Sequence, residues 1–174
     1  MKNILPASLA VLSFLGLRPA AHALAVGDEA PRVTASDQNG VEVALADVYA
    51  KGPTLVYFYP KADTGGCTAQ ACSLRDAFPD FSSAGVQIIG VSGDSVESQK
   101  KFAEKYELPF TLLADTDSVV ADAFGVPHIM GIPKRQSFII KDGKVVWIVR
   151  GAQTRDHAAE VKAALAELGL AKKS

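Results

Sequence analysis

Two cysteines, two methionines, one tryptophan and three histidines are all that this 174-residue chain holds of those residue types. Cys67 and Cys72 together with His128 and His157, which lie far apart in sequence, do not make a ligand set with zinc spacing. An excess of one charge is missing too: 18 Lys and Arg stand against 19 Asp and Glu. Nothing in that balance points to nucleic acid or to a membrane surface. There is no internal repeat, low-complexity stretch or interdomain linker. The apolar run from Ile4 to Leu17 is broken by Pro6, Ser8, Ser13 and Gly16 and falls short of the roughly 20 residues a membrane-spanning helix needs.

That run does have another shape. Lys2 precedes it and Ala21-His22-Ala23 follows it, as in a secretory signal peptide with an A-x-A cleavage site. An uncleaved anchor or a buried first helix are the alternatives. Residues 1–23 are expected to be a cleavable signal peptide and residues 24–174 a single domain, of a length that builds a real core. Loss of Lys2 and Arg18 would leave a modest acidic excess. Export would also make a structural disulfide a common use of two cysteines.

What the sequence does have is concentrated in Pro60-Lys-Ala-Asp-Thr64-Gly-Gly-Cys67-Thr-Ala-Gln-Ala-Cys72. The preceding run, Thr54 to Tyr59, is β-branched and aromatic and ends at Pro60, which reads as a buried strand. Asp63 to Gly66 reads as a loop with capping residues, and Thr68 to Phe78 has the composition of a helix. Cys67 therefore falls in the first turn of that helix. Unpaired backbone N–H groups and the positive end of the helix dipole favour a thiolate there, the form that attacks.

Cys72 lies five residues on. On a regular helix such residues have Cα atoms roughly 8–9 Å apart, whereas a disulfide needs about 4.4–6.8 Å. If the two pair at all, the first turns must unwind, which suits a disulfide formed during turnover better than a staple. A passive disulfide in a non-catalytic binding module, and a dithiol–disulfide oxidoreductase acting on protein thiols, are the other readings. The second would want Cys-x-x-Cys at the helix start and a proline where Gln136 stands.

Pro60-x-x-x-Thr64-x-x-Cys67 resembles the active-site motif of peroxiredoxins. Cys67-x-x-x-x-Cys72 is similar to the subgroup called bacterioferritin comigratory protein or peroxiredoxin Q, and the similarity extends to Gly90–Tyr106, Leu108–Asp115 and Arg135–Ile140. The resemblance implies a thiol peroxidase that reduces hydrogen peroxide and organic hydroperoxides. Cys67 would be the peroxidatic residue and Cys72 the resolving one. Arg135 and Thr64 would hold the thiolate and the peroxide, and Pro60 would shield the sulfur. It implies no metal, haem or flavin cofactor, a thioredoxin-like dithiol reductant, and a monomer. With the signal peptide, it implies an exported protein of a periplasm or an organelle lumen. The chain departs from the family at Gly65, where a proline is usual; glycine leaves the loop looser, which would ease unwinding.

Strands and helices alternate past residue 24. Strands are expected at Arg32–Ser36 and Glu42–Ala44 around Asn39-Gly40, then at Leu55–Tyr59, Gln87–Ser92 and Thr111–Leu113. A hairpin, Gln136–Ile140 with Val145–Arg150, turns at Asp142-Gly143. Further helices are expected from a capping box at Asp94–Glu97 to Tyr106, over Ser118–Phe124, and over Arg155–Leu168. This order makes an α/β layered domain and is similar to a thioredoxin-like fold of the peroxiredoxin variant, a central mixed β-sheet flanked by helices. His128 reads as a solvated loop histidine, Trp147 as core, and Lys100, Lys101 and Lys105 as a solvated charged helix face.

Overall fold

The computed structural model describes residues 23–171, so the expected signal peptide lies almost wholly outside the described residues. In chain order the elements are β1 (Thr34–Ser36), β2 (Glu42–Ala44), α1 (Leu45–Tyr49), β3 (Thr54–Phe58), α2 (Gly65–Asp76), α3 (Phe78–Ser83), β4 (Gln87–Ser92), α4 (Val96–Lys105), β5 (Thr111–Ala114), α5 (Val119–Ala123), β6 (His128–Ile129), β7 (Ile132–Pro133), β8 (Gln136–Lys141), β9 (Lys144–Arg150) and α6 (His157–Glu167). Five strands form one mixed sheet in the order β5-β4-β3-β8-β9. β3 runs parallel to β4 and antiparallel to β8, and thus lies at the centre.

Alternation along β3 sorts the core into two layers, because successive side chains point to opposite faces of a sheet. Leu55, Tyr57 and Tyr59 join Ile88, Leu112 and Ile139 beneath α2, α3, α4 and α6. Val56 and Phe58 join Ile89, Leu113, Phe138 and Ile140 beneath α1 and α5. All five β3 residues are buried, as expected of a strand covered on both sides.

Several boundaries differ from the sequence reading. α2 starts at Gly65 rather than Thr68, taking both glycines into its first turn, and ends at Asp76. Pro79, in the first turn of α3, starts a separate helix, since proline is favoured at a helix start and disfavoured inside one. The box at Asp94–Glu97 is displaced by one residue: Ser95 is the N-cap of α4, and its hydroxyl accepts from the Ser98 N–H at 3.3 Å. The β8–β9 hairpin turns at Asp142 and Gly143, with φ of 52° and 75°, as an Asp-Gly turn requires.

α1 and the β6–β7 hairpin have no counterpart in the sequence reading. The hairpin turns at Met130 and Gly131 with φ of 52° and 76°. It places His128 on β6 instead of in a loop, with Nε2 3.0 Å from Asp122 Oδ1. Trp147, on β9, is half-buried and packs against the edge of the helix-covered layer beneath α2 and α6, so it borders the core where the sequence placed it inside.

Candidate active site

β3 ends at Phe58, and the chain turns through Pro60 to Thr64 into α2, so Cys67 is the third residue of the helix. It is buried at 3 % exposure, against Tyr57, Tyr59 and Ala71 in the same apolar layer. Arg135 immediately precedes β8. Antiparallel pairing of β8 with β3, and a bond from the Gly151 N–H to the Arg135 carbonyl at 2.9 Å, fix its backbone beside the start of α2. Its Nη2 donates to Cys67 Sγ at 3.3 Å. Cys67 and Arg135, 68 residues apart in the chain, are therefore brought together.

The other arm of the guanidinium was not legible in the sequence. Arg135 Nη1 donates to the side-chain oxygen of Gln70, which is fully buried one turn along α2 from Cys67. A planar fork that binds two acceptors is held in orientation as well as in position. The i, i+3 spacing of Cys67 and Gln70, which puts both on one helix face, was the signal that could have found it.

Thr64 is the N-cap residue of α2, with an extended backbone, and its side chain makes no cap bond. Its hydroxyl donates to the Lys61 carbonyl at 2.9 Å, and its carbonyl accepts from the Thr68 N–H at 2.8 Å. Thr64 thus shapes the loop, and its hydroxyl is bonded to the Lys61 carbonyl instead of to the sulfur. Pro60 is half-buried and lines a cleft of about 850 Å³ with Pro127, Ile129, Met130, Ile132 and Arg135. Arg135 is shared between the wall of that apolar cleft and the Cys67 sulfur. Cys72 is half-buried on the same helix, and both cysteines are free thiols.

The loop before Cys67 is held by side chains to which sequence reasoning gave no role at the site. Asp63, at φ 56°, accepts from Lys105 Nζ at 2.8 Å and from Tyr106 Oη at 2.6 Å; these partners, the ammonium first, hold its carboxyl below its ordinary range. Asp94 accepts from the Ala62 N–H at 2.7 Å and from the Ser92 hydroxyl at 2.7 Å. Ser92 in turn accepts from Gln99, which also bonds the Tyr59 hydroxyl. Lys105 is therefore a tether of the loop as well as part of a charged face.

Beneath the site, burial, reinforced by Tyr59 and Cys67, pushes the Tyr57 phenol well above its ordinary pKa. His157 is also fully buried: its Nε2 lies 3.0 Å from Ser137 Oγ and its Nδ1 3.0 Å from Glu160 Oε2. Burial lowers its pKa, against the opposing pull of Glu160. A carboxylate only accepts, so Nδ1 carries the proton and Nε2 accepts the serine hydroxyl. Among the described residues no group of three or more His, Cys, Asp or Glu could hold a metal ion.

A central mixed sheet, a buried thiol in the first turn of the helix after β3, and an arginine whose two arms reach that sulfur and Gln70 define a thioredoxin-like protein with a cysteine at its candidate site. The family model described as the AhpC/TSA family matches residues 26–148. A peroxiredoxin Q, chloroplastic, of Sedum lineare is 44% identical over 129 residues, which are 73% of this chain and 69% of that protein. The crystal structure of peroxidoxin BcpB from Mycobacterium tuberculosis superposes with a TM-score of 0.77 at 34% identity, covering 82% of this chain and 97% of that one. Bacterioferritin comigratory protein of Xanthomonas campestris gives 0.74 at 31% identity, covering 83% and 99%. The matched region is 57% to 69% of the length of the plant relatives. The chain belongs to the AhpC/TSA family, in its peroxiredoxin Q and bacterioferritin comigratory protein branch.

Proposed function

We propose that the protein is a thiol peroxidase in which Cys67 is the peroxidatic residue and Cys72 the resolving one. The observation that carries this is the Arg135 Nη2 to Cys67 Sγ contact of 3.3 Å at the start of α2. The Cys67 thiolate attacks one oxygen of a hydroperoxide and the O–O bond breaks. The sulfur keeps that oxygen as a sulfenic acid, and the other leaves as water or an alcohol after taking a proton. Arg135 and the N–H groups of the first turn stabilise negative charge on the entering sulfur and the leaving oxygen. Thr64, whose hydroxyl sits on the Lys61 carbonyl in the resting site, turns to the peroxide when one is bound, and Pro60 keeps bulk water from the sulfur.

Cys72 then attacks the sulfenic sulfur, releasing water and forming the Cys67–Cys72 disulfide. A thioredoxin-like dithiol protein reduces it by exchange. Alkyl hydroperoxides are substrates alongside hydrogen peroxide: the Xanthomonas campestris bacterioferritin comigratory protein has alkyl peroxide reduction activity, and the cleft next to Arg135 is apolar. The enzyme works as a monomer, without a cofactor and without stable membrane association once processed. Residues 1–23 are a cleaved signal, and the domain of residues 24–174 acts outside the cytoplasm, in a periplasm or an organelle lumen. The plant relatives are chloroplastic by name.

Stopped-flow mixing of the reduced protein with one equivalent of hydrogen peroxide, followed by mass analysis, tests the core of this. The expected result is loss of both thiols orders of magnitude faster than a free cysteine, ending in the Cys67–Cys72 disulfide. Cys67→Ser should abolish it, and Cys72→Ser should stop at sulfenic acid and progress to sulfinic acid with excess peroxide. Thiol loss at free-cysteine rates in the unsubstituted protein would refute the reading.

A further inference from the structure

A helix start leaves its first N–H groups without partners inside the helix, and an N-cap side chain ordinarily accepts from the second or third. α6 does not follow that pattern. Its N-cap, Asp156, sits at φ −104° and ψ 15° and makes no side-chain cap bond. The N–H of Ala158, the second residue of α6, donates instead to Ser73 Oγ of α2 at 3.1 Å. Ser73 therefore caps α6 from another helix, and it is the residue directly after Cys72.

The two sides of this bond are anchored differently. His157, the first residue of α6, is fully buried and tied to Ser137 of β8 and to Glu160 of its own helix, so the first turn of α6 is pinned to the sheet. Ser73 is held by α2. In an α-helix each N–H bonds the carbonyl four residues earlier, so unwinding residues 67–72 removes the acceptors of the N–H groups of Ser73 to Asp76. Unwinding thus frees the Ser73 N–H, while the bond from the Ala77 N–H to the Ser73 carbonyl at 3.3 Å remains, so movement of Cys72 to the Cys67 sulfur pulls directly on the residue that caps α6.

We propose that the Ser73–Ala158 hydrogen bond is a latch that sets how readily α2 opens, with Ser73 a positioning residue that governs the rate at which Cys72 resolves the sulfenic acid. The proposal rests on the peroxidase reading above. It makes the two steps of the reaction separately adjustable, because the Ser73 hydroxyl is bonded to α6 and takes no part in the Arg135–Cys67 hydrogen bond.

Two measurements on the full chain test it. In quenched-flow mass analysis after one equivalent of hydrogen peroxide, Ser73→Ala should leave sulfenic acid formation unchanged. Disulfide formation should be about fivefold faster, the equivalent of a lost cap of about 1 kcal/mol, and Ser73→Thr, which keeps the hydroxyl, should restore the slower rate. In hydrogen exchange, the Ala158 amide should be protected in the reduced protein and lose that protection in the disulfide form. A merely structural Ser73 would lower stability without accelerating resolution. Unchanged or slower resolution in Ser73→Ala, or an Ala158 amide still protected in the disulfide form, overturns the latch. Should the unsubstituted protein show no rapid thiol loss, it is the peroxidase reading that falls.

Discussion

On one side of the central sheet Phe58, Phe124 and Phe138 meet ring to ring, with centroids 5.1 to 5.9 Å apart, inside a layer of aliphatic side chains. On the other side the same strands present Tyr57, Tyr59 and Ser137, and the helices above add Gln70, Gln99 and His157, all buried. The first layer is filled mainly by shape, its buried Asp115 accepting from the Val120 and Ala121 N–H groups of α5 at 2.9 and 2.8 Å. In the second, buried polar atoms must find partners, and most do, through Gln99, Ser92 and Asp94 to the loop or through His157 to β8. Tyr57 Oη and Gln70 Nε2 lack one among the described residues, and both lie on the cysteine side. A strand with strict two-residue alternation thus separates a layer responsible for holding the sheet together from one that positions a sulfur.

Damage to one layer should therefore be nearly invisible in the other. Phe138→Ala, at a fully buried position, is expected to lower the unfolding free energy by about 3–5 kcal/mol in a denaturant titration. The peroxide rate per folded molecule should be unchanged; a large fall in that rate would erase the distinction between the layers. Arg135→Ala is the reverse case. Removing a donor aimed at developing charge typically costs about 10²–10³ in rate, so the second-order rate constant with hydrogen peroxide should fall by that much, with far less loss of stability than Phe138→Ala.

Gly65→Pro sharpens the boundary at its softest point. Gly65 is the first residue of α2, Thr64 before it is already extended, and a Cβ built on Gly65 meets nothing within 4 Å. Proline suits such a position and should raise stability by about 0.4–1 kcal/mol. It should also slow disulfide formation while sparing sulfenic acid formation, since it stiffens the turn that has to open. Thermal unfolding and the two kinetic phases, measured on the same protein, read both effects.

Much of the cysteine side was legible. The β-branched run ending at Pro60, the glycines, and an Ala- and Leu-containing segment after them put Cys67 at a helix start by composition alone, and Arg135 was reached through resemblance to the family. What stayed hidden depends on contacts across the fold. Gln70 reads as an ordinary helix former until Arg135 arrives from 65 residues away. His157 was one histidine among surface-like neighbours until Ser137 and Glu160 closed around it. The β6–β7 hairpin turns on Met130-Gly131, and methionine at positive φ gives no turn signal of the Asn-Gly kind. α1, five residues long, is too short to show a helical period.

Both acceptors of the Arg135 fork, Cys67 Sγ and Gln70 Oε1, belong to the six residues that a Cys67–Cys72 disulfide would pull out of helix. Oxidation would then withdraw the attacking sulfur and the brace of its arginine in one movement. The oxidised chain would keep no half-built site in which a second peroxide could react. Such an arrangement would count: each molecule would accept one peroxide, which takes two electrons, and refuse the next until a dithiol had returned those electrons and α2 had rewound, so that with peroxide in excess throughput would follow the supply of reductant.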